Sequence, residues 1–486
     1  MKTTTPAILI IVSLVCTKLL PGAHAVVPPP DGCYLGFTTA EGCHALQSLT
    51  TGIGNTGIGW YSLFANATGN FNTAVGAGAL DLNSADNNTA TGAAALLLNT
   101  TGTNNTANGV DALALNNTGE ENTATGAFAL FSNTEGDFNV ANGAFALYFN
   151  TTGERNTAIG DSALYSNNEG NRNTAVGNPA LLHNTTGSSN TAIGAGVLFS
   201  NNTGQENTAI GADALSSNTI GVANAATGNR ALLSNTDGTS NTATGVDALH
   251  DTTSGGGNTA TGYQALLHND TGDYNTANGL FALGSLTTGS NNTAIGRSAG
   301  TGVTTADNVI CIGAQVSGAN VSNSCYIGQI FGVTSSGGIA VFINSDGKLG
   351  TTTSSRRFKE QIKPMDKSSE AVLALKPVTF RYKKEVDSNG IPQFGLVAED
   401  VEKVNPDLVV RDAEGKAYTV RYEAVNAMLL NEFLKEHRKI EQQRKDFEAA
   451  IARQQKQIEA LTADVQRVSA QLELGRAAPQ TVVNNQ

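Results

Sequence analysis

The residues of this chain best suited to chemistry lie together at 354–362. Here Ser354 and Lys359 stand five residues apart, with Arg356 and Arg357 between them, in the first cationic cluster that follows residue 350. A serine hydroxyl becomes a nucleophile when a neighbouring base takes its proton. A lysine can be that base only where burial or nearby cations favour its neutral form. Spacing alone indicates two ordinary surface residues.

Cysteines are the second chemistry-bearing group, and their reading depends on the start of the chain. Residues 1–25 have the features of a signal peptide: Lys2, an apolar run at 7–20 and a small-x-small cleavage site at Ala23-His24-Ala25. We therefore expect a secreted or cell-surface protein. An uncleaved membrane anchor is the alternative.

Removal of this signal leaves Cys33, Cys43, Cys311 and Cys325. An even number of cysteines in an exported chain permits a Cys33–Cys43 and a Cys311–Cys325 disulfide, one at each end of the repeats described next. Four free, partly buried thiols are equally compatible with the sequence. No CxxC pair and no His/Cys cluster is present, so the sequence predicts neither a metal site nor a cofactor.

A repeat of 17 residues runs from Asn55 to about Gly313 and reads Asn-Thr-Ala-x-Gly-x-x-Ala-Leu-x-x-Asn-x-x-Gly. Such regularity indicates a stack of equal units rather than an enzyme core. Each unit has room for a short strand and tight turns but not for a βαβ unit, which predicts a mainly β protein built as a β-solenoid. The Ala-Leu step is compatible with a helical turn or with a second strand.

In such a stack Ala would point inward, Leu would form an apolar ladder, and Asn side chains would pair along the axis. With coils about 4.8 Å apart the rod would be on the order of 75 Å long. One coil buries little apolar area, so we expect several chains to share the ladder, in a homotrimer. Asn-x-Thr sequons arise by chance in such a repeat, among them Asn66, Asn99, Asn150 and Asn184.

The repeat resembles the head repeats of trimeric autotransporter adhesins and of bacterial tail-fibre-like proteins, although adhesin units are usually shorter. This resemblance implies a fibre and says almost nothing about a ligand, for which a cell-surface or glycan partner of the stalk is a candidate. Other solenoid functions fit less well. An ice-binding solenoid needs regular rows of threonine, but the residue that follows Thr-Ala in each unit varies among Ile, Val, Thr and Asn. Calcium-binding repeats need an Asp at each turn, and this chain lacks it. The net charge of −12 without a basic patch excludes a nucleic-acid partner.

The content of charged residues rises near residue 350, since only 7 of the 29 Lys and Arg residues lie before it. We therefore predict a signal peptide at 1–25, an N-terminal cap at 26–54, the solenoid at 55–333, a linker at 334–353, a small α+β domain at 354–445, a long helix at 424–475 and a disordered tail at 476–486.

Two sets of heptad positions run along this helix: Ile440, Phe447, Leu461 and Val468, then Ile451, Ile458, Val465 and Leu472. Their β-branched residues favour a coiled coil of more than two strands.

Residues 354 to about 445 resemble the intramolecular chaperone domain of phage endosialidases, tail spikes and fibres, the S74 peptidase family. The matching features are Ser354-x-Arg-Arg-Phe-Lys359, Phe-Gly-Leu-Val-Ala-Glu at 394–399, and the helix at Tyr422 that continues into a coiled coil. Domains of that family trimerise, assist folding of the stalk and then release themselves. Where the family usually has Asp after the serine, this chain has Ser355.

The resemblance implies a self-cleaving serine endopeptidase that cuts between Thr353 and Ser354 in a single turnover. Ser354 would be the nucleophile and Lys359 the general base, with Arg356, Arg357 and Glu399 as possible support of the site. The function implied is a secreted or surface homotrimeric fibre whose C-terminal chaperone domain releases itself. The alternative is a structural or adhesive fibre with an uncleaved trimerisation domain and no enzymatic step.

Overall fold

A computed structural model describes residues 36–344, 347–412 and 414–475 of the chain. It divides into two units, with the boundary between Thr334 and Ser335. The predicted signal peptide, Cys33 and the tail at 476–486 lie outside the described residues. Within them, no helix combines the length and the apolar character that crossing a membrane requires.

The N-terminal unit is a β-solenoid, as the repeat predicts. Each coil contributes one three-residue strand, and each strand pairs in parallel with the strands of the coils before and after it, in register, as Thr191 does with Thr208. The first nine strands are β1 (Thr39–Glu41), β2 (Thr56–Ile58), β3 (Thr73–Val75), β4 (Thr89–Thr91), β5 (Thr106–Asn108), β6 (Thr123–Thr125), β7 (Val140–Asn142), β8 (Thr157–Ile159) and β9 (Thr174–Val176). The other nine are β10 (Thr191–Ile193), β11 (Thr208–Ile210), β12 (Ala225–Thr227), β13 (Thr242–Thr244), β14 (Thr259–Thr261), β15 (Thr276–Asn278), β16 (Thr293–Ile295), β17 (Ile310–Ile312) and β18 (Cys325–Ile327).

The interior holds the strand Ala and the Ala-Leu pair of nearly every coil, which confirms the predicted inward Ala and the Leu ladder. From Leu63 to Leu283 every ladder leucine has 0% of its surface exposed in a single chain. The expectation that neighbouring chains share this ladder is therefore wrong, because one chain already buries it completely. The rest of the solenoid core consists of buried polar side chains, mostly asparagines.

Two ladders of buried asparagines run along the axis, as expected. In the first, formed by the Asn that opens each coil, the Asn122 backbone N–H donates to Asn105 Oδ1 (3.0 Å) and its Nδ2 donates to the Gly136 carbonyl (2.8 Å). In the second, Asn133 Nδ2 donates to Asn116 Oδ1 (2.8 Å) and to Gly136 O (2.9 Å). The four sequon asparagines named above belong to this second ladder and are fully buried, so their amides are inaccessible to a glycosyltransferase in the folded chain.

The Ala-Leu step is a tight turn, neither helix nor strand. Its leucines have left-handed backbone conformations, such as Leu147 with φ 53°. This conformation costs a non-glycine residue about 1–2 kcal/mol, and complete burial of a leucine contributes a comparable 1.5–3 kcal/mol or so. The glycine before this step has a stricter role: at Gly143, with φ 149°, an added Cβ would lie 2.3 Å from the Gly160 carbonyl oxygen of the next coil.

Three details differ from the sequence-based expectation. Strand β1 lies inside the segment predicted as a cap, and the predicted linker contains a hairpin of β19 (Phe342–Ile343) and β20 (Leu349–Gly350). The Cys311–Cys325 disulfide is not formed. Both thiols are free, with Cys311 buried and Cys325 exposed, because the register sets Ile310 opposite Cys325 and so turns the two side chains to opposite faces of the sheet.

The C-terminal unit is small and α+β. After a 3₁₀ turn at Arg356–Phe358 and a 3₁₀ helix at Asp366–Ala374 come hairpin strands β21 (Val378–Phe380) and β22 (Gln393–Gly395), helix α1 (Ala398–Val404), a 3₁₀ turn at Pro406–Leu408, hairpin strands β23 (Val409–Arg411) and β24 (Ala417–Val420), and helix α2 (Tyr422–Leu474). Its buried apolar core consists of Val372, Val401, Leu408, Val420 and Val425.

Candidate site at Ser354 and Lys359

The structure brings Ser354 and Lys359 together. The 3₁₀ turn at Arg356–Phe358 reverses the chain, with Phe358 N–H donating to Ser355 O (3.0 Å) and Lys359 N–H donating to Arg356 O (3.1 Å). Lys359 Nζ then donates to Ser354 Oγ at 3.2 Å. Both side chains are exposed. A hydroxyl and an amine at this distance can exchange a proton directly once the amine is neutral.

The residues predicted to support the site lie around it in different ways. The guanidinium of Arg357 lies 4.5 Å from the ring centroid of its neighbour Phe358. Glu399 lies in the first turn of α1, where its charge acts on Lys403. The pKa of Lys403 is raised mainly by its hydrogen bond to Asp400, and Glu399 adds to this effect. Support of the cleavage site by Arg356, Arg357 and Glu399 stays a prediction.

A second serine–lysine pair, which the sequence does not reveal, lies between the Asp366–Ala374 helix and α2. Ser369 is fully buried, and its Oγ accepts hydrogen bonds from Asn431 Nδ2 (2.7 Å) and Lys435 Nζ (3.3 Å) and bonds to the Glu432 carboxylate. The hydrogen bond to Glu432 raises the pKa of Lys435, and the bond from Lys435 lowers the pKa of Glu432. Because Lys435 is held protonated, it cannot act as a base.

The Ser369 cluster is therefore a structural tie between two elements. Its members are more than 60 residues apart in the chain, so no local sequence pattern could have identified it. Of the two pairs, only Ser354 and Lys359 are accessible to substrate. Among the described residues, no group of three His, Cys, Asp or Glu side chains could hold a metal ion.

Helix α2 exposes its predicted heptad positions in the single chain. Each keeps 55% to 70% of its surface accessible, and they are Ile440, Phe447, Ile451, Ile458, Leu461, Val465, Val468 and Leu472. This 53-residue helix therefore has an apolar seam that a single chain leaves exposed along its length, and the coiled coil stays a prediction.

Comparison with known proteins finds one family match, which lies within this unit. Residues 354–410 match the family described as chaperone of endosialidase, Peptidase_S74. The match begins at Ser354, includes Lys359 and Glu399, and ends in β23. No curated protein and no solved structure matches the chain. The chain thus combines a β-solenoid at residues 39–327 with a C-terminal segment that matches the Peptidase_S74 chaperone family, an arrangement that supports a tail-fibre-like protein.

Proposed function

We propose that this protein forms a secreted or surface-displayed homotrimeric fibre. Its C-terminal domain associates three chains, assists folding of the solenoid and then cuts the chain between Thr353 and Ser354. The observation that carries the cleavage step is the 3.2 Å contact between Lys359 Nζ and Ser354 Oγ, at the first residue of the family match.

Association through the C-terminal domain is supported by how little of it one chain buries. Its core has five buried apolar residues, while large apolar side chains such as Phe394 (82% exposed) and Tyr418 (74% exposed) face solvent. The α2 seam adds an apolar stripe that only Arg444 and Gln454 interrupt. Burial of these surfaces between chains would supply the stability that so small a core lacks, and the β-branched seam favours three strands over two.

The need for a chaperone follows from the in-register ladder of the stalk. Successive strands offer nearly the same residues, so Thr208–Ile210 pairs with Thr191–Ile193 as Thr174–Val176 does. Pairing one coil out of step therefore changes few contacts and costs little energy. A domain that associates at one end fixes the order in which equivalent coils of the three chains meet.

The cleavage follows from the position of the serine beside its own peptide bond. Neutral Lys359 takes the Oγ proton while Oγ bonds to the Thr353 carbonyl carbon through a five-membered ring. The C–N bond to Ser354 then breaks, the lysine returns the proton to the Ser354 nitrogen, and an ester remains. Water hydrolyses this ester, which frees the Thr353 carboxylate and restores the serine hydroxyl.

Freshly expressed full-length chain tests the proposal on a denaturing gel and by native mass. We expect a fragment of residues 354–486 from the native chain and none from Ser354→Ala or Lys359→Ala, with a trimer mass for Ser354→Ala. Ser355→Ala and Lys363→Ala, next to the site, are the controls and should still release the fragment. A trimer that never releases the fragment would instead favour the uncleaved structural fibre, and Ser355→Asp would then show whether the missing aspartate is the reason.

A further inference from the structure

The outer surface of the solenoid has three sides of different chemistry. Counting the opening Asn of each coil as position 1, the strand side carries positions 2 and 4, which are mostly Thr alternating with Ile, Val, Thr or Asn. Positions 13 to 17 form a side rich in Thr, Asn, Ser and acidic residues. Positions 6, 7, 10 and 11 flank the buried Ala-Leu pair and form the apolar side.

Ring contacts join these four positions into one surface. Phe131, Tyr148 and Tyr165, at position 10 of successive coils, stack at 5.2 and 5.3 Å with nearly parallel rings. Phe145 at position 7 lies 5.8 Å from Tyr148, and Phe149 at position 11 meets Tyr148 edge-on at 4.7 Å. Aromatic groups recur on the same side near each end of the stack, as with Trp60 and Tyr61 and with Tyr263 and Phe281.

These side chains remain substantially exposed in one chain. Phe149 has 46%, Leu82 44%, Tyr263 45% and Leu280 42% of its surface accessible. Nine large apolar residues of this side are 36% to 48% exposed, and at that fraction of the area that a large side chain can bury they present together about 500–900 Å² along the stack. A typical monomer exposes at most about 300–600 Å² in its largest apolar patch, and each partner in a stable complex contributes about 800 Å².

Some charged groups on the apolar side are paired within it, whereas, among the described residues, five others have no ion-pair partner: Asp81, Asp111, Asp161, Asp213 and Arg297. Arg230 binds Asp247 at 2.8 Å, and the Asp251 carboxylate lies between His250 Nδ1 (2.6 Å) and His268 Nδ1 (2.7 Å). Charges neutralised in this way can be covered by a neighbour more cheaply than isolated ones. The strand side has runs of Ile and Val at position 4 of successive coils, as from Ile159 to Ile210, but a threonine at position 2 of nearly every coil lies beside them.

We propose that the apolar side is the surface through which the stalks of the associated copies meet, and that the strand side and the polar side face outward. The inference rests on the self-association proposed above and adds which surface of the stalk takes part. A second copy of this chain fits because its own apolar side has the same length and the same spacing of exposed aromatic and aliphatic side chains. The leucine ladder has no part in the contact, since it is buried within each chain.

Distances between copies test this orientation in the full-length Ser354→Ala chain, which retains its chaperone domain. Spin labels are placed on Leu98→Cys or Phe149→Cys for the apolar side, and on Ile193→Cys or Ile210→Cys for the strand side. The four positions have similar exposure, 36% to 46%. The remaining cysteines other than buried Cys311 are replaced by serine, and dipolar spectroscopy measures the label-to-label distances.

We expect an oligomer in which both apolar-side labels give shorter distances between copies than both strand-side labels. An oligomer with shorter strand-side distances would overturn the inference while leaving self-association intact. Large distances on both sides would mean that the C-terminal domain alone joins the chains, leaving the apolar side to some other partner, and would also overturn it. A monomeric native mass would refute the proposed self-association itself.

Discussion

Thr252 interrupts the second asparagine ladder, and Thr252→Asn should stabilise the stalk. In the neighbouring coils, each asparagine donates through Nδ2 to the asparagine of the preceding coil, as Asn235 does to Asn218 Oδ1 at 2.7 Å, and to a glycine carbonyl three residues on. At Thr252 this pattern fails: the buried Thr252 Oγ1 and Asn235 Oδ1 both lack a hydrogen-bond partner.

The size of the gain follows from those two orphaned atoms. A buried polar group without a partner costs about 1–3 kcal/mol. The new amide can donate to Asn235 Oδ1 and to Gly255 O, and can accept from Asn269 Nδ2. The coils on both sides hold an asparagine at this position, so the space suits one. We expect local stabilisation of about 1–3 kcal/mol, equivalent to a roughly 5- to 150-fold smaller population of the locally open state.

Hydrogen exchange read by mass spectrometry is the appropriate assay, because a stack of coils need not unfold as one unit. Protection should rise in peptides that cover residues 235–272 and stay constant near Asn116. Thr252→Val removes one orphaned atom but leaves Asn235 Oδ1 unpaired, so it should give a smaller gain. The reverse change Asn133→Thr should weaken its own coils by a similar amount. Unchanged exchange in Thr252→Asn together with unchanged exchange in Asn133→Thr would refute the view that the ladder stabilises the core.

Three further changes probe the glycine turn, a desolvated acid and the helical seam. Gly143→Ala should destabilise its coils by on the order of 3–5 kcal/mol, because the new methyl would lie 2.3 Å from Gly160 O; thermal melting and hydrogen exchange report the loss. Burial raises the pKa of Asp81 to about 6, so its ionisation opposes folding above that pH and is without effect below the ordinary value near 4. Asp81→Asn should therefore raise stability by about 1–2 kcal/mol at pH 7, allowing for partial exposure, and by almost nothing at pH 4; melts at the two pH values compare them. Ile458→Lys should lower the native mass of the full-length chain, whereas Gln455→Lys, off the seam, should leave it unchanged.

Each of these three has an outcome that contradicts its reasoning. A Gly143→Ala chain with native protection would mean that the coils can move apart at that turn. An equal gain at pH 4 and pH 7 for Asp81→Asn would mean that packing, rather than charge, sets the effect. Loss of the oligomer in Gln455→Lys as well as in Ile458→Lys would mean that any added charge disrupts the helix, and the seam would lose its special role.

Much of the stalk could be predicted from the sequence because nearly every coil has the same residues at the same structural positions. The spacing of Asn, Ala, Gly and Leu indicated the strand, the inward Ala, the leucine ladder and the stacked amides. The left-handed leucines could not be predicted, since leucine rarely adopts that conformation and only the stack of coils enforces it. The complete burial of the leucines within one chain could not be predicted either. An estimate from buried apolar area leaves out the asparagine side chains, which fill much of the interior.

At the C-terminal site the contact between Ser354 and Lys359 follows from local sequence, because one 3₁₀ turn brings residues five apart together. The Ser369 cluster depends on the packing of two elements far apart in the chain and leaves no local pattern. The failure of the Cys311–Cys325 pairing has a similar origin. The last step of the solenoid is 15 residues instead of 17, and its register, unreadable from composition, sets the two thiols on opposite faces.

The orientation of the ladder bonds has a mechanical consequence. Backbone hydrogen bonds between strands all run along the axis, from one coil to the next, so a pull on the two ends of the stalk loads the coils in series. Coils should then peel away one at a time from an end, each releasing 17 residues, on the order of 55 Å of extended chain. A stalk of this kind lengthens under tension in many small steps, and the unfolding of each coil dissipates energy.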